Sequence, residues 1–205
     1  MISNCVGFFN ILELSRLNGI RNIFYASSSS VYGDSKKFPV KENFELKPKN
    51  FYGFSKKANE EMADIYSRYY DMKIIGLRFF TVFGPWGRPD LVISKLIESF
   101  YSKKVFYLNN FGKHTRDFTY IDDLVKSVCM LIKVVPSRVG SRIDKIKGDS
   151  LSPVAPWRVV NIGNSQKVRL SDYIEAIEKE LGMPAKKNFM PLQPGDVPAT
   201  FADTS

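Results

Sequence analysis

The sequence predicts an α/β fold organised on a parallel sheet. Three observations carry that prediction. Short apolar runs of strand length alternate with longer runs of helical periodicity, turn-rich connections separate them, and a row of hydroxyl side chains sits where one strand ends. Residues 3 to 18 place Val6, Phe9, Leu12, Leu14 and Leu17 near helical spacing, with Gly19 as a C-terminal cap, so an amphipathic helix is expected. Asn22 to Ser27, NIFYAS, is short, apolar and bounded by turn residues, as a buried parallel strand would be. Its carboxyl end runs into Ser27, Ser28, Ser29 and Ser30, followed by Val31, Tyr32 and Gly33. In open α/β sheets ligands bind outside the carboxyl ends of the strands, so these hydroxyls are expected to face a crevice.

A polar, proline-containing loop spans 34 to 49, residues 51 to 70 read as a second helix, and KIIGLRFF (Lys73 to Phe80) reads as the next strand. The unit is βαβ. Helices follow near 91 to 102, 122 to 134 and 171 to 181, the last opened by Ser171 as N-cap and closed by Gly182. Val135 to Pro156, rich in Ser, Gly, Pro and charge, reads as a long exposed insertion. The chain contains no internal repeat.

Composition narrows the function. At 205 residues, 44% hydrophobic and 14% aromatic, the chain can bury one substantial core and part of a second. No apolar run approaches the roughly 18 residues of a membrane span, and the first residues have neither a basic region nor a small-residue cleavage site. No membrane association is expected, and the expected location is cytoplasmic. Cys5 and Cys129 lie far apart and His114 is the one histidine, which argues against a disulfide framework and against metal ligation. The net charge of +9 raises the possibility of nucleic acid, but the basic pairs Lys36-Lys37, Lys56-Lys57, Lys103-Lys104 and Lys186-Lys187 are dispersed and no nucleic-acid motif accompanies them. A solvated basic surface around a site for a small polyanion fits better.

The informative spacing is in FYGFSKKANEE: Tyr52 and Lys56 stand four apart on a predicted helix, hence on one face. A tyrosine ionises near pH 10, so service as a base at neutral pH requires lowering by about 3 pH units, roughly 4 kcal/mol. A neighbouring ammonium in a low-dielectric cleft supplies stabilisation on that scale. Taken alone, the pair is a common one and fits an exposed helical turn better. Its placement after a hydroxyl cluster at a strand end favours chemistry.

At this point the sequence resembles a known family. SSSSVYGD, FYGFSKKANEEMA, LRFFTVFGPWGRPD, RDFTYIDDLV, NIGNS and QPGDV, in that order, are similar to the extended short-chain dehydrogenase/reductases that act on nucleotide sugars, most of all to UDP-glucuronate 4-epimerases. The resemblance implies a Rossmann-like, doubly wound parallel sheet, here partial and lacking its N-terminal strands, with a smaller α/β substrate-binding part. It implies NAD as cofactor, a UDP-sugar as substrate and a homodimer, built from the helix before the serine strand and the helix bearing Tyr52 and Lys56. By resemblance, Ser28 hydrogen-bonds the 4-oxygen of the sugar, Tyr52 is the catalytic base, and Lys56 assists it and holds the cofactor. Tyr52 and Asn4 are further cofactor-binding candidates.

Substrate contacts follow in the same way: Ser28 and Ser29 beside the sugar, Thr81 and Arg88 for a carboxylate, Arg116 for the diphosphate, and Asp196 for the ribose hydroxyls. An arginine fork suits a carboxylate geometrically; the other reading of Arg88 is a solvent-exposed loop cation. Gln193 stands where many relatives have an arginine, and Asp122 and Asp123 read as a helix cap and structural partners. Related dehydratases place an acidic pair directly after the catalytic hydroxyl, and related decarboxylases carry a glutamate just before the VY pair. Ser29 and Ser30 occupy those positions here. Elimination and decarboxylation then lack a proton shuttle, and epimerisation remains.

Residues 1 to 84 correspond to the C-terminal portion of an NAD-binding Rossmann-like domain and 85 to 205 mainly to the substrate-binding part, with 116 to 135 returning to the first. None of the 13 glycines forms the G-x-x-G-x-x-G loop that brings a helix N-terminus to a pyrophosphate. The chain therefore reads as truncated at both ends, and two expectations stand: the catalytic and substrate-binding portion of an epimerase, or a non-catalytic remnant or oligomerising piece. On either, the isolated chain is expected neither to bind NAD tightly nor to epimerise.

Overall fold

The structure, a computed structural model, describes residues 2–137 and 149–205. After a π-helical turn at Ile2–Val6, the elements run α1 (Gly7–Leu17), β1 (Asn22–Ser28), α2 (Phe51–Tyr70), β2 (Lys73–Phe79), β3 (Thr81–Phe83), α3 (Val92–Ser102), β4 (Phe106–Leu108), β5 (Thr115–Arg116), β6 (Phe118–Tyr120), α4 (Ile121–Ile132), β7 (Trp157–Ile162), β8 (Val168–Arg169), α5 (Leu170–Leu181), β9 (Lys187–Phe189) and β10 (Ala199–Thr200). The insertion expected over 135 to 156 falls largely on 138–148, outside the described residues.

The principal sheet is parallel, in the order β1-β2-β7. β2 is central, and Ile74, Ile75, Gly76, Leu77 and Arg78 are all buried, which is why it reads as a continuous apolar run. The two faces of β2 are covered by different helices. Ile74 packs with Leu12 of α1 and Ala63 and Tyr66 of α2, while Ile75 and Leu77 pack with Leu124 of α4 and with Ile162. β1 pairs with β2 on one side only; among the described residues nothing pairs with its outer edge. β7 belongs to this sheet although it lies in the stretch 85 to 205, so the chain re-enters the first layer a second time after α4.

A second core lies between α3, α5 and short strands, where Leu96, Phe106, Leu108, Phe118, Leu170 and Ile174 are buried together. A clasp joins the two parts. The Asp117 carboxylate, fully buried, accepts from the N–H groups of Asn164 (2.6 Å), Ser165 (3.0 Å) and Ala202 (3.0 Å).

Helix termini show where local reading succeeds and fails. Asn50 caps α2, its side chain accepting from the Gly53 N–H at 2.8 Å. Gly19 and Gly182 follow their helices with φ of 70° and 68°. Ser171, however, is the second residue of α5: Arg169 holds the N-cap position and contributes no side-chain cap. The reason is tertiary, since the Leu170 N–H is fixed to the His114 carbonyl at 2.8 Å and the chain turns into helix there. Asp122 and Asp123 do not cap α4 either. They are exposed in its first turn, where their charge favours the N-terminal end of the helix dipole.

In α1 the expected apolar stripe divides: Leu12 is buried, whereas Phe9, Leu14 and Leu17 are exposed. Among the described residues no helix is long and apolar enough to cross a membrane, and none of their His, Cys, Asp and Glu side chains gather in a group of three placed to hold a metal ion.

Candidate active site

The four serines have different environments. Ser27 points inward, its hydroxyl donating to Glu60 Oε1 at 2.6 Å. Ser28 opens a short 3-10 turn, its Oγ accepting from the Ser30 N–H at 3.2 Å, and it lines a cleft with Ser29 and Ser30. That cleft, of about 590 Å³, also receives Tyr52 from α2, Thr81 and Phe83 from β3, the Gly84–Arg88 loop, Arg116 from β5 and Asp196 from the turn before β10.

The start of α2 is pressed against the serine turn. A Cβ at Gly53 would meet the Ser30 carbonyl oxygen at 2.6 Å, so glycine is needed for the helix to approach this closely. Tyr52 lines the cleft and is 47% exposed, so its side chain is not committed to the core. One turn on, Lys56 Nζ donates to the Ala26 carbonyl at 3.0 Å and lies 5.8 Å from the centroid of the Tyr52 ring. Burial lowers the Lys56 pKa. Asn4 does not line the cleft. Its Nδ2 donates to Ser55 Oγ at 2.9 Å, and Ser55 in turn donates to the Tyr52 carbonyl at 2.8 Å, so it braces the first turn of α2 from behind.

Of the cations, Arg88 is exposed and forms a two-pronged pair with Asp90, Nε to Oδ1 at 3.0 Å and Nη2 to Oδ2 at 2.8 Å. Arg116 is half-buried and donates through Nη1 to the Thr115 and Pro198 carbonyls. Burial lowers its pKa and the Asp196 carboxylate opposes that shift. Gln193 is exposed and lies outside the cleft lining. A second chamber of about 410 Å³ opens beyond Thr81, Leu91, Arg116 and Asp196, which line both cavities.

The cleft therefore gathers Ser28, Ser29, Tyr52, Thr81, Arg88, Arg116 and Asp196 from distant parts of the sequence, with Lys56 one helical turn behind Tyr52. Sequence reasoning missed Asn50 and Trp86, which also line the cleft, Asp90 and His114. Asn50 was findable as a polar residue directly before a helix; Asp90 and His114 gave no local signal.

The structure thus brings a hydroxyl, a tyrosine and a lysine together beside the carboxyl end of a parallel sheet. Residues 1–142 match the NAD dependent epimerase/dehydratase family, and the chain belongs to it. It is 48% identical to Protein CapI of Staphylococcus aureus over 98% of this chain and 60% of that protein. It is 41% identical to a probable UDP-glucuronate 4-epimerase of Rhizobium meliloti over 98% of this chain and 59% of that protein. Among solved structures, UDP-glucuronic acid 4-epimerase from Bacillus cereus, in complex with UDP-glucuronic acid and NAD, superposes with a TM-score of 0.83 at 29% identity, covering 99% of this chain and 59% of that one. The chain thus spans about 60% of the length of these curated relatives. The alternative of a non-catalytic remnant draws no support from these relatives.

Proposed function

We propose that this chain carries the catalytic and sugar-binding part of an NAD-dependent epimerase that inverts carbon 4 of UDP-glucuronate to give UDP-galacturonate. The observation that supports it most is the single cleft shared by Ser28, Tyr52, Thr81, Arg88, Arg116 and Asp196. In this reading 1 to 84 serve mainly the cofactor and 85 to 205 mainly the sugar nucleotide, and the enzyme works in the cytoplasm, in keeping with unpaired Cys5 and Cys129.

Tyr52, as phenolate, takes the proton from the sugar 4-hydroxyl, with Ser28 sharing that hydrogen bond. Lys56 stabilises the phenolate charge. The bond to Ala26 uses one of the three ammonium donors, which leaves Lys56 donors for a cofactor ribose. Tyr52 and Lys56 would hold NAD, with Asn4 acting through Ser55; bound there, NAD supplies the acceptor and donor of the carbon 4 hydride. The sugar passes through a 4-keto form, turns, and is reduced from its other face, with no net redox change. Thr81 and Arg88 receive the carboxylate, which must displace Asp90 from the Arg88 fork. Arg116 faces the diphosphate and Asp196 the ribose hydroxyls. Among the described residues Asp196 is the sole carboxylate lining the cleft, which favours epimerisation over elimination or decarboxylation.

Chromatography of UDP-glucuronate incubated with NAD and the protein bearing these residues should reveal UDP-galacturonate. Recovery of unchanged UDP-glucuronate alongside conversion of UDP-glucose would overturn the uronate assignment.

A further inference from the structure

His114 is the one histidine of the chain and is 4% exposed. Its Nε2 is buried without a hydrogen-bond partner among the described residues and faces Asp196 Oδ2 at 3.6 Å. Its remaining ring nitrogen is left for the hydrogen bond with the Asn109 backbone. An orphaned buried nitrogen costs free energy unless its surroundings put it to use. Its neighbour Asp196 is 40% exposed at the side chain and lines both the cleft and the second chamber.

We propose that His114 is a proton-sensitive positioning residue for Asp196: neutral, it leaves the carboxylate turned to the cleft for hydroxyls of the bound nucleotide; protonated, it draws the carboxylate onto Nε2 and away from the ligand. The proposal rests on the reading of the cleft as a nucleotide-sugar site. The groups facing the ring come from several elements. Arg116 of β5 and Asp196 act on it directly, and Asp90, Lys95 of α3 and Tyr107 of β4 line the same chamber. Burial lowers the His114 pKa, Arg116 lowers it further, and Asp196 and the Asn109 backbone oppose them. The ring is therefore neutral at pH 7, and acid is needed to make the pair. A proton and a ligand hydroxyl then compete for one carboxylate. Affinity falls below the His114 pKa, by up to about tenfold per pH unit if the two exclude each other.

Because there is one histidine, its imidazole C–H resonances in the NMR spectrum of the 205-residue chain report this site without ambiguity. Asp196→Asn should lower the His114 titration midpoint; an unchanged midpoint would overturn the proposal. Calorimetry with UDP-glucose, whose diphosphate diester keeps its charge from pH 5 to 8, should show wild-type affinity declining toward acid. His114→Gln, and His114→Asn should the first fold poorly, should flatten that profile. An acid limb retained in both variants, or affinity rising toward acid in the wild type, would refute the coupling. Absence of UDP-glucose binding at every pH would instead count against the cleft as a nucleotide-sugar site, and the histidine titration would still decide whether His114 and Asp196 are coupled.

Discussion

Arg78 of β2 meets Glu60 of α2 through two parallel bonds, Nε to Oε1 at 2.9 Å and Nη2 to Oε2 at 2.7 Å, with both side chains 3% exposed. Ser27 adds a third bond to the same carboxylate, so one buried pair ties the serine strand, the central strand and the Tyr52 helix together. Arg78 also donates to Tyr32 Oη and the Glu42 carbonyl. Removing one member leaves a buried charge unpaired, so Glu60→Leu or Arg78→Leu should lower stability by about 3–5 kcal/mol. The apolar double replacement Glu60→Leu/Arg78→Leu should cost less than the sum. Urea unfolding of the four proteins tests this; strictly additive losses would mean the pair is not coupled.

Tyr52→Phe removes a single oxygen from a half-exposed side chain that bears no fold-stabilising hydrogen bond through its phenol among the described residues. In an active protein bearing these residues, epimerisation should fall by about 100-fold to 10,000-fold, with circular dichroism and the unfolding midpoint unchanged. Turnover at the wild-type rate would remove Tyr52 from the chemistry.

Arg88→Leu should weaken UDP-glucuronate far more than UDP-glucose, since only the uronate offers a carboxylate. The Asp90 pairing sharpens the expectation. Asp90→Asn should strengthen UDP-glucuronate binding, by no more than the fivefold or so that an exposed pair of up to about 1 kcal/mol permits. Calorimetry of both variants with both sugars decides; equal losses for the two sugars in Arg88→Leu would make that arginine a diphosphate ligand or a loop support.

The apolar side chains of the two helices expected to form a dimer face divide in the structure. Leu12 and Tyr66 are buried, Phe8 and Met62 are half-buried against the same core, and Phe9, Ile11, Ile65 and Tyr69 point outward. Replacing Ile11 and Ile65 by lysine should therefore disrupt self-association while leaving the core intact. Light scattering at micromolar concentration should show a dimer that these changes convert to monomer; a monomer throughout would reject the interface.

How much of this was legible follows the range of the interactions. The span of α2 followed from periodicity, its Asn50 cap was readable as a polar residue next to the helix, and the Tyr52–Lys56 relation needed only helical geometry. The strand 22–28 and the serines at its end were readable because a buried parallel strand is a compact apolar run. The placement of β7 beside β2 was not, because its pairing partner lies some eighty positions earlier. Ser171 misled because local capping preference yielded to the hydrogen bond from the Leu170 N–H to the His114 carbonyl, which starts the helix one residue earlier, at Leu170. Asp117, adjacent to Arg116 in sequence, holds three backbone N–H groups from two remote segments, and nothing local distinguishes it from a surface acid. His114 acquired a neighbour in Asp196 through the same long-range folding.

The central claim is that the Tyr52 cleft holds a uronate while its carbon 4 would give a hydride to bound NAD and take it back, without release of the sugar. UDP-glucuronate deuterated at carbon 4, incubated with NAD and the protein bearing these residues, tests it most directly by proton NMR of the products. The account predicts UDP-galacturonate with deuterium retained at carbon 4, since the label leaves and returns within one closed site. UDP-galacturonate carrying solvent hydrogen at carbon 4 would contradict it.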